Sequence, residues 1–252
     1  MEKAETMEKK RIAIVTGAAK GIGKAIASRF AGENYFVIAV DVDRENGQKL
    51  VYELGKEKVE LMITDISKEE EVSGLFNSVI KNYNHIDVLV NNAGIIRDNL
   101  IWNMPVEDFD VVLNLNLRGT WLMCRECAKV MKQQQSGRIV NIASRAWLGN
   151  RGQSNYAASK AGVIALTRVL ALELGKYNVC VNAVAPGLID TPLTQKLEKD
   201  VLQKLVESQP TKTMGKPEDV ANAVSFLSSE KTNFVTGQTI YVDGGKSIGA
   251  GL

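Results

Sequence analysis

The chain repeats one alternation: a short β-branched or aliphatic run, a turn, a longer stretch with apolar residues at helical spacing, then another short run. The runs are RIAIVTG (11–17), YFVIAVD (35–41), VELMITD (59–65), HIDVLVNNAG (85–94), GRIVNIAS (137–144), NVCVNAVAPG (178–187) and QTIYVDGG (238–245). Within them the apolar residues are nearly continuous, as in strands covered on both faces. Seven such runs separated by helical segments predict an α/β fold, a doubly wound parallel sheet with helices on both sides. No linker-like composition and no repeat beyond this alternation divides the chain. The expectation is one domain over residues 11–252, preceded by an arm, residues 1–10. The segment LIDTPLTQKLEKDVLQKLVESQPTKTMGKP is the most irregular, and residues 188–215 within it are the candidate lid.

Composition narrows the partners. With 31 basic and 29 acidic residues the net charge is +2, and the aromatic content of 6 % is not interleaved with basic residues, so nucleic acid is not expected. No apolar run is long enough to span a bilayer, and the opening MEKAETMEKK lacks the apolar core of a signal peptide, so a soluble cytoplasmic protein is expected, with no membrane partner. Cys124 and Cys127 form a CxxC, but mid-helix rather than at a helix N-terminus, and with Cys180 they cannot make a disulfide framework. His85 is the only histidine, so no metal site is expected.

Candidate chemistry gathers at the C-terminal ends of the predicted strands, where open α/β sheets bind ligands. After the first strand, TGAAKGIGKAI carries glycines at 17, 21 and 23, which let the backbone turn sharply and bring a pyrophosphate to a helix N-terminus. Asp41 ends the second strand where a carboxylate accepts hydrogen bonds from an adenosine ribose. Together these features make the predicted fold Rossmann-like. Asp65 ends the third strand and NNAG (91–94) the fourth. Farther on, YAASK places Tyr156 and Lys160 four residues apart, on one face of a helix.

TGxxxGIG, NNAG, the Asn within LNL (115–117), a Ser after the fifth strand, YxxxK, and PG with a following Thr occur in that order across most of the chain. This combination resembles the short-chain dehydrogenase/reductase family, and within it the branch of 3-oxoacyl-acyl-carrier-protein reductases (GIIRDNL, GNRGQSNYAASKAG, VTGQTIYVDGG). The resemblance implies that Tyr156 is the general acid/base, that Lys160 lowers its pKa and holds the nicotinamide ribose, that Ser144 hydrogen-bonds the substrate oxygen, and that Asn116 supports a water linking Lys160 to solvent. It further implies a cofactor site built from Gly17, Lys20, Gly21, Ile22, Gly23, Asp41, Asp65, Ile66, Asn92, Ala93, Gly94, Tyr156, Lys160, Pro186, Gly187, Ile189 and Thr191. The chemistry is coherent, because a phenol with a pKa near 10 is a poor base at neutral pH until a nearby ammonium and the cationic nicotinamide ring favour the phenolate. Ser154, the other nearby hydroxyl, suits an N-cap better than a substrate contact. Thr191 also reads as a helix cap before PLTQKL.

Lys20 and Asp41 pull in opposite directions on the cofactor. Relatives using NADP often carry a basic residue where Lys20 stands, whereas Asp41 would repel the added 2′-phosphate; the expectation is NAD, with NADP possible. The segment Asn155–Leu174 is apolar or small around most of its circumference and must be covered on more than one side. The family packs this helix against another subunit, which implies a homotetramer. The function expected is interconversion of a ketone and a secondary alcohol, with a 3-oxoacyl or 3-hydroxyacyl thioester as the leading substrate and a small cyclic, sugar-derived or aliphatic alcohol as the alternative. The segment KQQQSGR before the fifth strand is more neutral than expected for docking an acidic carrier protein, which favours acyl-CoA or a free alcohol somewhat. A catalytically idle dinucleotide-binding module would need none of Asn116, Ser144, Tyr156 and Lys160.

Overall fold

The computed structural model describes residues 10–248; the arm expected at residues 1–10 lies outside them except for Lys10. Seven parallel strands, β1 (Arg11–Thr16), β2 (Tyr35–Asp41), β3 (Val59–Ile63), β4 (Val88–Asn91), β5 (Gly137–Ile142), β6 (Val179–Pro186) and β7 (Thr239–Val242), form one sheet in the order β3-β2-β1-β4-β5-β6-β7. The order reverses between β1 and β4, so the crevice above their C-terminal ends is where a ligand has room to enter. The helices are α1 (Gly21–Gly32), α2 (Arg44–Leu54), α3 (Glu69–Tyr83), α4 (Val106–Leu113), α5 (Thr120–Gln134), α6 (Ser154–Leu174), α7 (Lys199–Glu207) and α8 (Pro217–Ser228).

Side chains alternate across the sheet into two cores. Ile12, Ile14 and Ile38 meet Leu75 of α3, Met123 of α5 and Leu170 of α6 on one face. Ala13, Val15 and Val37 meet Ile26 and Phe30 of α1 and Val220 and Val224 of α8 on the other. Because both faces are covered, each strand reads as a continuous apolar run. Full burial of a side chain such as Ile14 or Phe30 contributes about 1.5–3 kcal/mol.

Several strands stop short of their apolar runs, because side chains take over the backbone donors at the C-terminal rim. The N–H groups of Asn92 and Ala93 donate to Thr16 Oγ1 (2.9 and 3.0 Å) instead of continuing the ladder. Asp65 Oδ1 accepts from the N–H of Ser67 (3.0 Å), a turn that carries the chain away from β3. Between α4 and α5 the backbone widens into a π-turn, Asn114–Gly119. The segment expected to be irregular holds a 3-10 turn, Thr194–Lys196, and the amphipathic α7, of which no residue is buried. Its two ends are tied together by the N–H of Asp190 donating to Gly215 O and that of Gly215 donating to Leu188 O (2.8 and 3.0 Å). α6 buries one stripe, including Val163, Thr167 and Leu174, while Ala165, Val169 (50 % exposed) and Leu172 (86 % exposed) lie uncovered. Among the described residues no helix is long and apolar enough to cross a membrane.

Candidate active site

The crevice holds two adjoining cavities of about 670 and 310 Å³ that share Asn92, Gly94 and Thr191. The larger lies along the β1–α1 turn. Gly17 takes a φ of +63°, and a Cβ at Gly23 would stand 2.0 Å from Gly17 O, so the turn can close onto α1 only with glycine there. Asn92 bolts the turn in place, its Nδ2 donating to Thr16 O and Gly17 O (3.0 and 3.1 Å). No side chain caps the N-terminus of α1, which leaves its first N–H groups facing this space. Uncapped donors, a glycine cradle and a long cavity ending at Asp41, Asp65 and Ile66 fit the pyrophosphate and adenosine of a dinucleotide. Lys20, Gly21 and Ile22 line the same cavity, as do Ala93 and Thr191.

At the Asp41 end of this cavity the charges are already partly matched. Asp41 accepts from the N–H groups of Ala19 and Asp43 (both 2.9 Å), which fixes its carboxylate at the tip of β2. Lys20 Nζ pairs with Asp43 at 2.5 Å rather than standing free, and that hydrogen bond raises the lysine and holds Asp43 down to about 2. Two carboxylates therefore face one paired ammonium.

The smaller cavity brings Ser144, Tyr156 and Lys160 together with Pro186, Gly187 and Ile189. Ser144, two residues beyond the end of β5, caps a 3-10 turn, Arg145–Leu148, its Oγ accepting from the N–H of Ala146 (3.1 Å). Burial pushes the Tyr156 phenol above its ordinary value; a hydrogen bond with Ser144 opposes this, and the Asp98 carboxylate adds a further upward push. Burial alone pushes Lys160 down to about 8. Its Nζ donates to Ile142 O (2.8 Å) and lies 5.7 Å from the centre of the Tyr156 ring. Desolvation thus dominates the phenol, and both groups are driven toward their neutral forms.

Asn116 sits within the π-turn with its amide fully engaged: Oδ1 accepts from the N–H of Ile95 (2.8 Å), and Nδ2 donates to Ile95 O (2.9 Å) and Ser159 Oγ (3.2 Å). Its side chain therefore pins the loop after β4. A Cβ on Gly94 would lie 3.1 Å from Asn116 Oδ1 and 3.5 Å from Lys160 Nζ, so the two residues flank one glycine. Thr191 lines the cavities and exchanges hydrogen bonds with Thr194, but the N-cap position of the 3-10 turn that follows is Leu193. Ser154 is exposed and makes no cap; the N-cap position of α6 is Gln153. Trp147 packs toward β7, its Nε1 donating to Tyr241 Oη (2.7 Å). Burial pushes the Cys124 thiol up to about 12 and raises the Cys127 thiol as well; both lie in the middle of α5.

Sequence reasoning missed Asn155 and Gln153. Asn155 is fully buried, donating to Arg97 O and Asp108 O (2.9 and 3.2 Å) and accepting from the N–H of Tyr156 (2.7 Å), so it ties the start of α6 to the loop after β4. Gln153 donates to Asp98 (3.1 Å) and accepts from Asn150 (2.9 Å). A polar residue directly before Tyr156, in an otherwise apolar helix, was the available signal.

Residues 17–247 match the family profile described as Enoyl-(Acyl carrier protein) reductase. The chain is 43 % identical over 243 residues to the (2S)-[(R)-hydroxy(phenyl)methyl]succinyl-CoA dehydrogenase subunit BbsD of Thauera aromatica, covering 96 % of this chain and 98 % of that protein. It is 44 % identical over 241 residues to the 3-oxoacyl-[acyl-carrier-protein] reductase FabG of Thermotoga maritima, covering 94 % and 98 %. Its fold superposes on the crystal structure of levodione reductase with a TM-score of 0.91 at 33 % identity, covering 95 % and 98 %. Similar in sequence and in fold along nearly its whole length to such enzymes, the chain belongs to the short-chain dehydrogenase/reductase family and is an oxidoreductase.

Proposed function

We propose that the protein is an NAD-preferring reductase of 3-oxoacyl thioesters, working reversibly on the 3-hydroxyacyl forms. The observation that carries this reading is the convergence of Ser144, Tyr156 and Lys160 where the dinucleotide-sized cavity opens into the smaller one. The bound nicotinamide supplies or accepts the hydride. In reduction the neutral Tyr156 phenol, the form that burial favours, donates its proton to the substrate oxygen while the Ser144 hydroxyl hydrogen-bonds the same atom. Lys160, held against Ile142 O at the head of the cleft, holds the ribose and favours the phenolate once the proton has left. Asn116 keeps the loop after β4 closed around both, and Pro186, Gly187, Ile189 and Thr191 border the nicotinamide.

NAD is favoured over NADP because Asp41 stands at the tip of β2 and Lys20 is spent on Asp43. The uncovered Val169 and Leu172 of α6 and the half-exposed Trp121 of α5 support assembly through this face into a homotetramer. Three free, buried cysteines suit the cytoplasm. The fold shared with levodione reductase favours a second reading, reduction of a small cyclic ketone.

The test is a screen of acetoacetyl-CoA, a 3-oxoacyl carrier protein and a cyclic diketone with each reduced nicotinamide cofactor, followed by the absorbance of the reduced ring. Fastest turnover of a thioester with NADH is expected. Turnover of the cyclic ketone alone selects the second reading, and no turnover of any probe overturns both substrate readings.

A further inference from the structure

Arg145 follows Ser144 directly and lines the smaller cavity with it. Of the four arginines that are buried or half-buried, Arg11 pairs with Glu230, Arg125 with Glu69 and Glu126, and Arg138 donates to main-chain carbonyls. Arg145, half-buried, has neither an ion pair nor a side-chain hydrogen bond among the described residues. No aspartate or glutamate lines this cavity; its other cation, Lys160, is committed to Ile142 O. Withdrawing a guanidinium partly from water without a counter-charge is unfavourable unless a ligand supplies the anion, and its planar fork matches a carboxylate.

The turn that carries Arg145 is fixed on both sides. Ser144 Oγ accepts from the N–H of Ala146, and Trp147 Nε1 donates to Tyr241 Oη, so the arginine rises from a held backbone one residue beyond the group that faces the Tyr156 phenol. The lid side of the cavity, by contrast, carries no charge: Leu188, Leu193 and Leu205 stand there beside the neutral Thr191, Thr194 and Gln209. We infer that Arg145 recognises a carboxylate carried by the substrate within a few bonds of the reacting carbonyl, making this a reductase of oxo acids whose apolar portion lies under the lid. The inference deepens the oxidoreductase reading of the same cleft and rests on it. A coenzyme A phosphate is the competing anion, but the pantetheine arm holds it many bonds from the carbonyl.

The test uses a pair of equal chain length, 3-oxohexanoyl-CoA and 3-oxoadipyl-CoA, which differ in a terminal methyl against a terminal carboxylate and carry the same coenzyme. Wild-type kcat/KM is expected to favour the carboxylate member, and Arg145→Gln to lower that ratio by at least about tenfold, the loss falling on the acid. An equal loss on both members would assign Arg145 to the coenzyme phosphates or to structure and overturn the inference, as would an unchanged ratio. If neither thioester is turned over, the thioester reading falls, and tryptophan fluorescence then tests Arg145 alone by titration with levulinate and with methyl levulinate. Saturation by the acid only, abolished in Arg145→Gln, would uphold carboxylate recognition; no difference between acid and ester would end it.

Discussion

Lys160 Nζ donates to the carbonyl of Ile142 at 2.8 Å, closing the buried amine onto the last residue of β5. With no carboxylate in contact, burial alone sets its pKa, which falls from 10.5 to about 8. The folded value lies below the unfolded one, so between about pH 8 and 10.5 the unfolded chain binds more protons and stability rises with pH; below 8 the burial penalty is present in full. That difference corresponds to about 3 kcal/mol, and loss of the hydrogen bond to Ile142 offsets about 1. Lys160→Met is therefore expected to stabilise the fold by about 2 kcal/mol at pH 7 while removing activity, with the gain fading toward pH 10.5. Urea denaturation at the two pH values checks this, and a less stable variant at pH 7 would contradict it.

Tyr156→Phe removes one transferable proton and little volume. Turnover should fall by about 100-fold or more, with cofactor affinity and melting temperature nearly unchanged. Steady-state kinetics beside a cofactor titration separate the two effects; near-normal turnover would end the acid/base role.

At the adenosine end, Asp41→Ala should shift the ratio of catalytic efficiencies away from NAD and toward NADP by at least about tenfold, roughly 1.4 kcal/mol. Asp43→Asn should move the ratio the same way by a different route, because it releases Lys20 from its ion pair. A wild type that prefers NADP, and loses that preference in Lys20→Ala, would reverse the assignment.

Ala165 lies on the uncovered side of α6, near the exposed Val169 and Leu172. Ala165→Glu should dissociate the proposed homotetramer while leaving the monomer folded, since none of the described residues covers this position. Light scattering with circular dichroism reads both. A wild type that is monomeric at micromolar concentration would refute the packing.

Asn155→Ala would strand the carbonyls of Arg97 and Asp108 and the N–H of Tyr156 together. A cost of about 2–4 kcal/mol is expected. Hydrogen exchange should show added opening in residues 95–110 rather than in the sheet.

The sheet was legible because its strands are buried on both faces, which writes each one into the chain as a block. Gly17, Gly23 and Asp41 were legible for a related reason: a close approach of backbone and a charge at a strand end are local events. The pins Asn155 to Arg97 and Asn116 to Ile95 were not, because each joins residues far apart in the chain through main-chain groups, which carry no residue signature. The pairing of Lys20 with Asp43 was missed because two loops must first come together. α7 does not stand out in the sequence because Val201 and Leu205, its apolar stripe, are flanked by charged residues and are only partly covered by the described residues. The direction of the Tyr156 shift depended on how completely the fold shuts the phenol away, which no spacing reveals.

The π-turn at Asn114–Gly119 carries one more residue than an α-helical turn would. Each α-helical residue advances the side chains by about 100°, and the widened turn absorbs the rotation of its extra residue, so that α5 keeps its phase. Delete one residue there and a straight helix becomes possible with Met123, Cys127 and Met131 still toward the sheet. What the extra residue provides is therefore the inward aim of Asn116, and a single-residue deletion in this stretch should cost catalysis far more than folding.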